Sequence, residues 1–191
     1  MKYEYHDDRS RASDPARLTL SPRRYRRLRG LGGLAWELFY RALGTRYRDL
    51  VSEHIECGDS RAALVVSTAP LFVAAYTDEL DCVVMLRYPR WLVREHRLEV
   101  GSRLLAVITY PHDENLARDL DLGPDHHGQF LNAHPQIGEF LSDDVERMEA
   151  RKREIDEAEW QRCAELAAAY RQTHGDRARD GAIFFTALPA R

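Results

Sequence analysis

Apolar and polar residues change their spacing several times along this chain, and each change marks a different element. Ser21-Pro22 has the form of a helix N-cap followed by proline at the first helical position, and the arginine-rich run after it meets Gly30, Gly32 and Gly33. Each such glycine costs a helix about 1 kcal/mol relative to alanine. The pattern therefore predicts a short basic helix, a break near Gly30–Gly33 and a second helix over about 34–43. Leu34, Leu38 and Leu43, with Trp36 and Phe39, give the second piece an apolar face at helical spacing, and Gly44 stands past its end as a C′ residue.

The centre of the chain reads differently. Four runs, Leu50–Cys57, Arg61–Ser67, Leu71–Thr77 and Asp81–Arg87, are joined by about three residues each, including Thr68-Ala69-Pro70 and Asp78-Glu79-Leu80. Connections this short permit hairpins and exclude crossover helices, so the runs predict a four-strand antiparallel meander. Leu64-Val65-Val66, Leu71–Ala75 and Cys82–Leu86 are apolar without alternation. Strands of that kind need cover on both faces. The first run alternates, with Ser52, His54 and Glu56 on one side and Val51, Ile55 and Cys57 on the other, and reads as an exposed edge strand.

Beyond the meander, Pro89–Arg97 suits a short helix or an extended segment, and 103–109 reads as a further strand entered by a turn at Gly101-Ser102. Residues 111–135 are polar and irregular apart from a helical turn at 114–120. Pro135–Leu141 suits a short helix. Asp143 with Glu146 resembles a capping box opening one long helix over about 143–174, with Val145, Met148, Ile155, Cys163, Leu166 and Tyr170 as its stripe. A helix of about 30 residues is about 45 Å long and would overhang a domain of this size. A last strand is expected at 182–186. The reading is an α+β domain over 21–191 behind a polar segment, 1–20, anchored at its end by Leu18 and Leu20; the 34–43 and 143–174 helices are the expected covers, one per face.

Composition adds little, and charge adds more. The 191 residues are near globular averages for apolar and charged content. Cys57, Cys82 and Cys163 match neither a disulfide framework nor a metal knuckle. They read as core residues of a protein in a reducing compartment. No secretory leader or membrane-spanning run is seen, so a cytoplasmic location without membrane insertion is expected. The formal net charge of −3 hides an asymmetry: residues 1–50 carry 12 Lys and Arg against 6 Asp and Glu, and the remainder carries 16 against 25.

Three groups of residues could carry chemistry. His112, His126, His127 and His134 lie among acidic residues in 112–134, and imidazole and carboxylate are ligands for zinc, iron or manganese; their spacing matches no established metal motif. His54 and Glu56, on one face of a strand, would converge with His112 and Asp113 as acid–base candidates. Arg23, Arg24, Arg26, Arg27 and Arg29 form a cluster able to contact phosphates or an acidic partner. Gly30–Gly33 lacks the preceding strand and following Lys-Ser/Thr of a phosphate cradle, and no cofactor is indicated. The favoured reading is a non-enzymatic interaction or regulatory module that binds a protein partner or a second copy of itself. A metal-dependent or acid–base enzyme using 112–134 is the alternative, and a nucleic-acid-associated protein using Arg23–Arg29 is the third.

Overall fold

A computed structural model describes residues 14–42, 47–111 and 115–183. The fold is α+β, with a six-stranded, mostly antiparallel sheet between two helical layers. Helix α1, Pro22–Ala42, starts as predicted: Ser21 Oγ accepts from Arg24 N at 3.4 Å. It also breaks as predicted. Gly30 has φ 52° and ψ −144°, a backbone conformation that L side chains rarely adopt, and the helix bends there.

The run expected to form the first strand is helix α2, Tyr47–Cys57. Its buried residues, Tyr47, Leu50, Val51, His54 and Ile55, recur at i, i+3, i+4, i+7 and i+8, which is the stripe of an amphipathic helix. Reading from Leu50 hid that period and left only the alternation. The meander accordingly has three strands: β1 Asp59–Thr68, β2 Leu71–Thr77 and β3 Cys82–Tyr88. Gly58-Asp59-Ser60, expected as a turn, leads directly into β1. After the meander, Trp91–His96 forms the short helix α3, ended by Arg97 at φ 52°.

Strand β4, Arg103–Thr109, runs antiparallel beside β1. It is followed by β5, His134–Ile137, where a short helix was expected from Pro135. Only Gly138–Leu141, α4, is helical there. The last strand among the described residues, β6, is Arg179–Asp180 and pairs parallel with β3; the strand expected at 182–186 falls mostly on 184–186, which lie outside the described residues. The strand order is β5-β4-β1-β2-β3-β6, with β1 and β2 at the centre.

The predicted long helix is two helices. Asp144, not Asp143, caps α5, Val145–Glu154, by accepting from Arg147 N at 3.3 Å. Ile155 is extended, and Asp156 then caps α6, Glu157–His174, by accepting from Ala158 N at 2.9 Å. An aspartate with Glu157 and Glu159 behind it is a good helix start. Folding the segment back removes the overhang.

Both faces of the sheet are covered, as the non-alternating strands require. On one face Ala62, Leu64, Phe72, Ala74, Tyr76, Val83 and Met85 meet Trp160, Cys163, Ala167 and Tyr170 of α6. On the other, Ala63, Val65, Val73, Ala75, Val84 and Leu86 share a core with Leu18, Tyr25, Leu28, Leu50, Val51, Ile55, Phe140 and Met148. Among the described residues, that cover comes from 16–28, α2, α4 and α5, and not from Leu34, Leu38 or Phe39. Backbone bonds from Ala16, Arg17 and Leu18 to the carbonyls of Gly58, Glu56 and Ile55 fasten the segment ahead of α1. Leu20 is buried as well.

Trp160 is 3% exposed, and the Arg103 guanidinium lies 4.8 Å from its ring centroid. Trp160→Ala should lower the unfolding free energy by about 3–5 kcal/mol, measured by urea denaturation. A loss under about 1 kcal/mol would contradict the packing of α6 against this face.

Candidate functional site

The five clustered arginines divide between the core, ion pairs and solvent because a helix turns them in different directions. Arg24 pairs with Asp143 and donates to the Glu139 carbonyl at 2.9 Å and to His96 Nε2 at 3.3 Å. Arg27 pairs with Glu95 at 2.6 Å and lies 4.3 Å above the Trp91 ring. Arg23 and Arg26 are exposed, and Arg26 Nε donates to the Pro22 carbonyl at 3.1 Å. Arg29 is buried. Its Nη2 donates to Gln136 Oε1 at 2.7 Å, its Nη1 donates to the Ala182 carbonyl, and its Nε has no partner. Burial pushes its pKa down, opposed by Tyr47, Tyr88, Tyr25 and Asp180. The cluster therefore does not present one continuous cationic face.

Where α1 bends, Pro22, Tyr25, Arg26, Arg29, Gly30 and Leu34 line a cleft with Arg48 of α2, of about 470 Å³. Beyond the bend, Leu34, Leu38 and Phe39 are 57%, 59% and 54% exposed. Of the apolar face expected to cover the sheet, these three residues are exposed; the Trp36 side chain and Leu43 lie outside what is described.

The candidate histidines among the described residues divide: His54 and His134 lie within electrostatic reach of each other across Thr109, whereas His126 and His127 are exposed. His54 and Glu56 do not share a face: His54 is buried beneath α2 and Glu56 is exposed. His54 Nε2 donates to the Val107 carbonyl at 2.8 Å. A neutral ring then accepts at Nδ1, from Thr109 Oγ1 at 3.1 Å. His126 is exposed, its Nδ1 donating to the Gly123 carbonyl at 2.7 Å, and exposed His127 pairs with Glu79 at 3.0 Å. His134 is buried at the start of β5. His112 and Asp113 lie outside the described residues. Among the described residues no three His, Cys, Asp or Glu gather closely enough to hold a metal ion.

The polar segment carrying these histidines is held by charge. Asp119 and Arg179, 2% and 1% exposed, form a two-pronged pair at 2.6 and 2.9 Å, and Arg179 also donates to the Ala133 carbonyl at 2.8 Å. Asp81 accepts from Arg162 at 2.7 and 3.0 Å and from Asp125 N at 3.3 Å; the bonds from Arg162 hold its carboxyl below the usual range. Gly123 sits so close that a Cβ there would overlap the Asp81 carboxylate. Arg61 bridges Asp59 and Asp78 at 2.5 Å each. These arginines were missed because Asp78, Asp119 and Asp81, the carboxylates they reach, lie 17, 60 and 81 residues away, Asp59 being the one near partner, of Arg61. No local pattern marks them. Arg48, likewise, has no signal in sequence beyond its charge.

No family model, curated protein or solved structure matches this chain. Function must therefore be argued from the geometry alone. Among the described residues no helix is long and apolar enough to cross a membrane.

Two measurements test these assignments. Asp119→Ala leaves a buried cation unpaired and should cost about 3–5 kcal/mol. The Asp119→Leu/Arg179→Met double variant should cost less than the single one, in a urea-unfolding double-mutant cycle. For His54, burial is the main cause of a folded pKa lowered to about 3 from 6.5, with the charges of His134 and Arg29 adding to it and the Val107 bond opposing it. The unfolded chain binds this proton below pH 6.5 and the folded chain only near pH 3. Stability from this site is present above 6.5 and lost as pH falls. The stability gap between wild type and His54→Gln should narrow by about 1.4 kcal/mol per unit between pH 6 and 4. A gap independent of pH would refute a buried neutral imidazole.

Proposed function

We propose that this protein is a non-enzymatic interaction module whose docking element is the part of α1 beyond Gly30. The observation that carries this reading is the exposure of Leu34, Leu38 and Phe39 on one side of a helix. Ala35 and Ala42, also exposed, lie beside them and permit close approach of another backbone. Among the described residues, both faces of the sheet are covered by elements other than 34–42.

The occupant proposed is a second copy of this chain. A two-fold contact sets the same face against itself, so apolar residues meet apolar residues. The charge asymmetry favours the same partner: the excess of basic residues in 1–50 and of acidic residues in the remainder lets opposite signs attract between copies. A cytoplasmic setting belongs to this proposal. What supports it is that all three cysteines are free, and that burial raises the Cys82 and Cys163 thiols to about 12, which suits unreactive core residues.

Light scattering coupled to size exclusion should return about twice 22.1 kDa for the wild type. Leu38→Glu or Phe39→Glu should shift this to the mass of one chain, with dissociation constants raised at least about tenfold. A wild type of one-chain mass at every concentration, or a dimer indifferent to both changes, would remove the proposal.

A further inference from the structure

The cleft at the bend of α1 is lined by a buried cation, Arg29. Arg29 is 6% exposed, is held only by neutral oxygens, and keeps an Nε with no hydrogen-bond partner. Among the described residues no carboxylate lies within ion-pair distance of Arg29 or Arg26; Asp180 acts on Arg29 only from further away. A buried cation without a counter-charge is costly. An anion entering the cleft removes that cost. The planar guanidinium has five N–H donors, and the edge that includes Nε matches a two-pronged oxyanion such as a carboxylate or phosphate.

The rest of the cleft specifies what the anion is attached to. At the rim stand exposed Arg26 and exposed Arg48, the latter 3.9 Å from Asp49, while Pro22, Tyr25 and Leu34 supply apolar wall. A volume of about 470 Å³ lies within the range of small-molecule sites, roughly 300–1,000 Å³. We propose that this cleft binds a small organic oxyanion, its carboxylate or phosphate seated on Arg29 and its apolar body against Tyr25 and Leu34. The site goes beyond the interaction reading and does not depend on it.

Calorimetric titration of the full chain with 4-phenylbutyrate and with phenyl phosphate, against neutral 4-phenylbutanamide, tests the site. At least one acid should bind saturably, one per chain and about tenfold or more tighter than the amide; the tighter acid names the head group. The Arg26→Gln/Arg48→Gln double variant changes only exposed positions and should weaken that binding about tenfold. Arg29→Met should abolish it. Should the loss of that buried side chain prevent folding, as read by circular dichroism, the double variant decides. Repeating the titration in Leu38→Glu keeps binding separate from self-association, and binding should persist there. Absence of saturable binding of either acid up to about 10 mM, an amide that binds as tightly as the acids, or unchanged affinity in the double variant would each overturn the site.

Discussion

Strands β2 and β3 bury residues that point to opposite sides, Val73 and Ala75 to one core, Phe72 and Ala74 to the other. A sheet of this kind has no face to give to water, and two apolar layers must be brought to it. The remainder of the fold follows from that requirement. Helix α6 is committed to one side. On the other side the area is shared by several short pieces: the segment around Leu18, the first half of α1, α2, α4 and α5. Among the described residues, both layers are assembled without Leu34, Leu38 or Phe39.

Charge does a separate job. Arg61, Arg162 and Arg179 each reach a carboxylate that is distant in sequence, and two of these pairs, at Asp81 and Asp119, fasten the irregular 115–133 stretch to the sheet and to α6. Buried pairs contribute little net stability, because desolvation offsets most of the attraction. They do discriminate strongly against arrangements that leave either partner alone. The segment has few apolar anchors, Leu120, Phe130 and Ala133 among them, so its path is set by where its charges find partners.

Much of the sheet was legible in sequence. Short connections forced β1, β2 and β3 to pair antiparallel, the lack of alternation required two covers, and the Ser21 cap and Gly30 break follow from local backbone preferences. Failures arose where one residue pattern satisfied two periods, or where a partner was remote. Leu50–Cys57 alternates if read from Leu50 and is helical once Tyr47 is included. Asp143 and Asp144 are both credible caps, and only the register of Arg147 N selects Asp144. Ile155 carries no mark of a helix break; the signal lies in Asp156 behind it. The face of Leu34, Leu38 and Phe39 was correctly read as apolar, yet periodicity says nothing about whether the fold has room for it. The candidate site was legible only in part. Arg26 and Arg29 were singled out for their charge, but Arg29 owes its character to burial beside Gln136 and Tyr88, far along the chain.

The pairing of Asp119 with Arg179 also sets an order of events during synthesis. The carboxylate emerges from the ribosome 60 residues before the guanidinium that neutralises it. At the usual elongation rates of about 5–20 residues per second, that is a wait of several seconds. An ionised carboxylate does not enter an apolar interior alone, so through that interval Asp119 stays hydrated and the stretch around it stays open. Strands β1 to β4 are complete by then and free to pair. The polar 115–133 stretch can therefore gain its buried ion pair only once Arg179, in the last strand among the described residues, has been made.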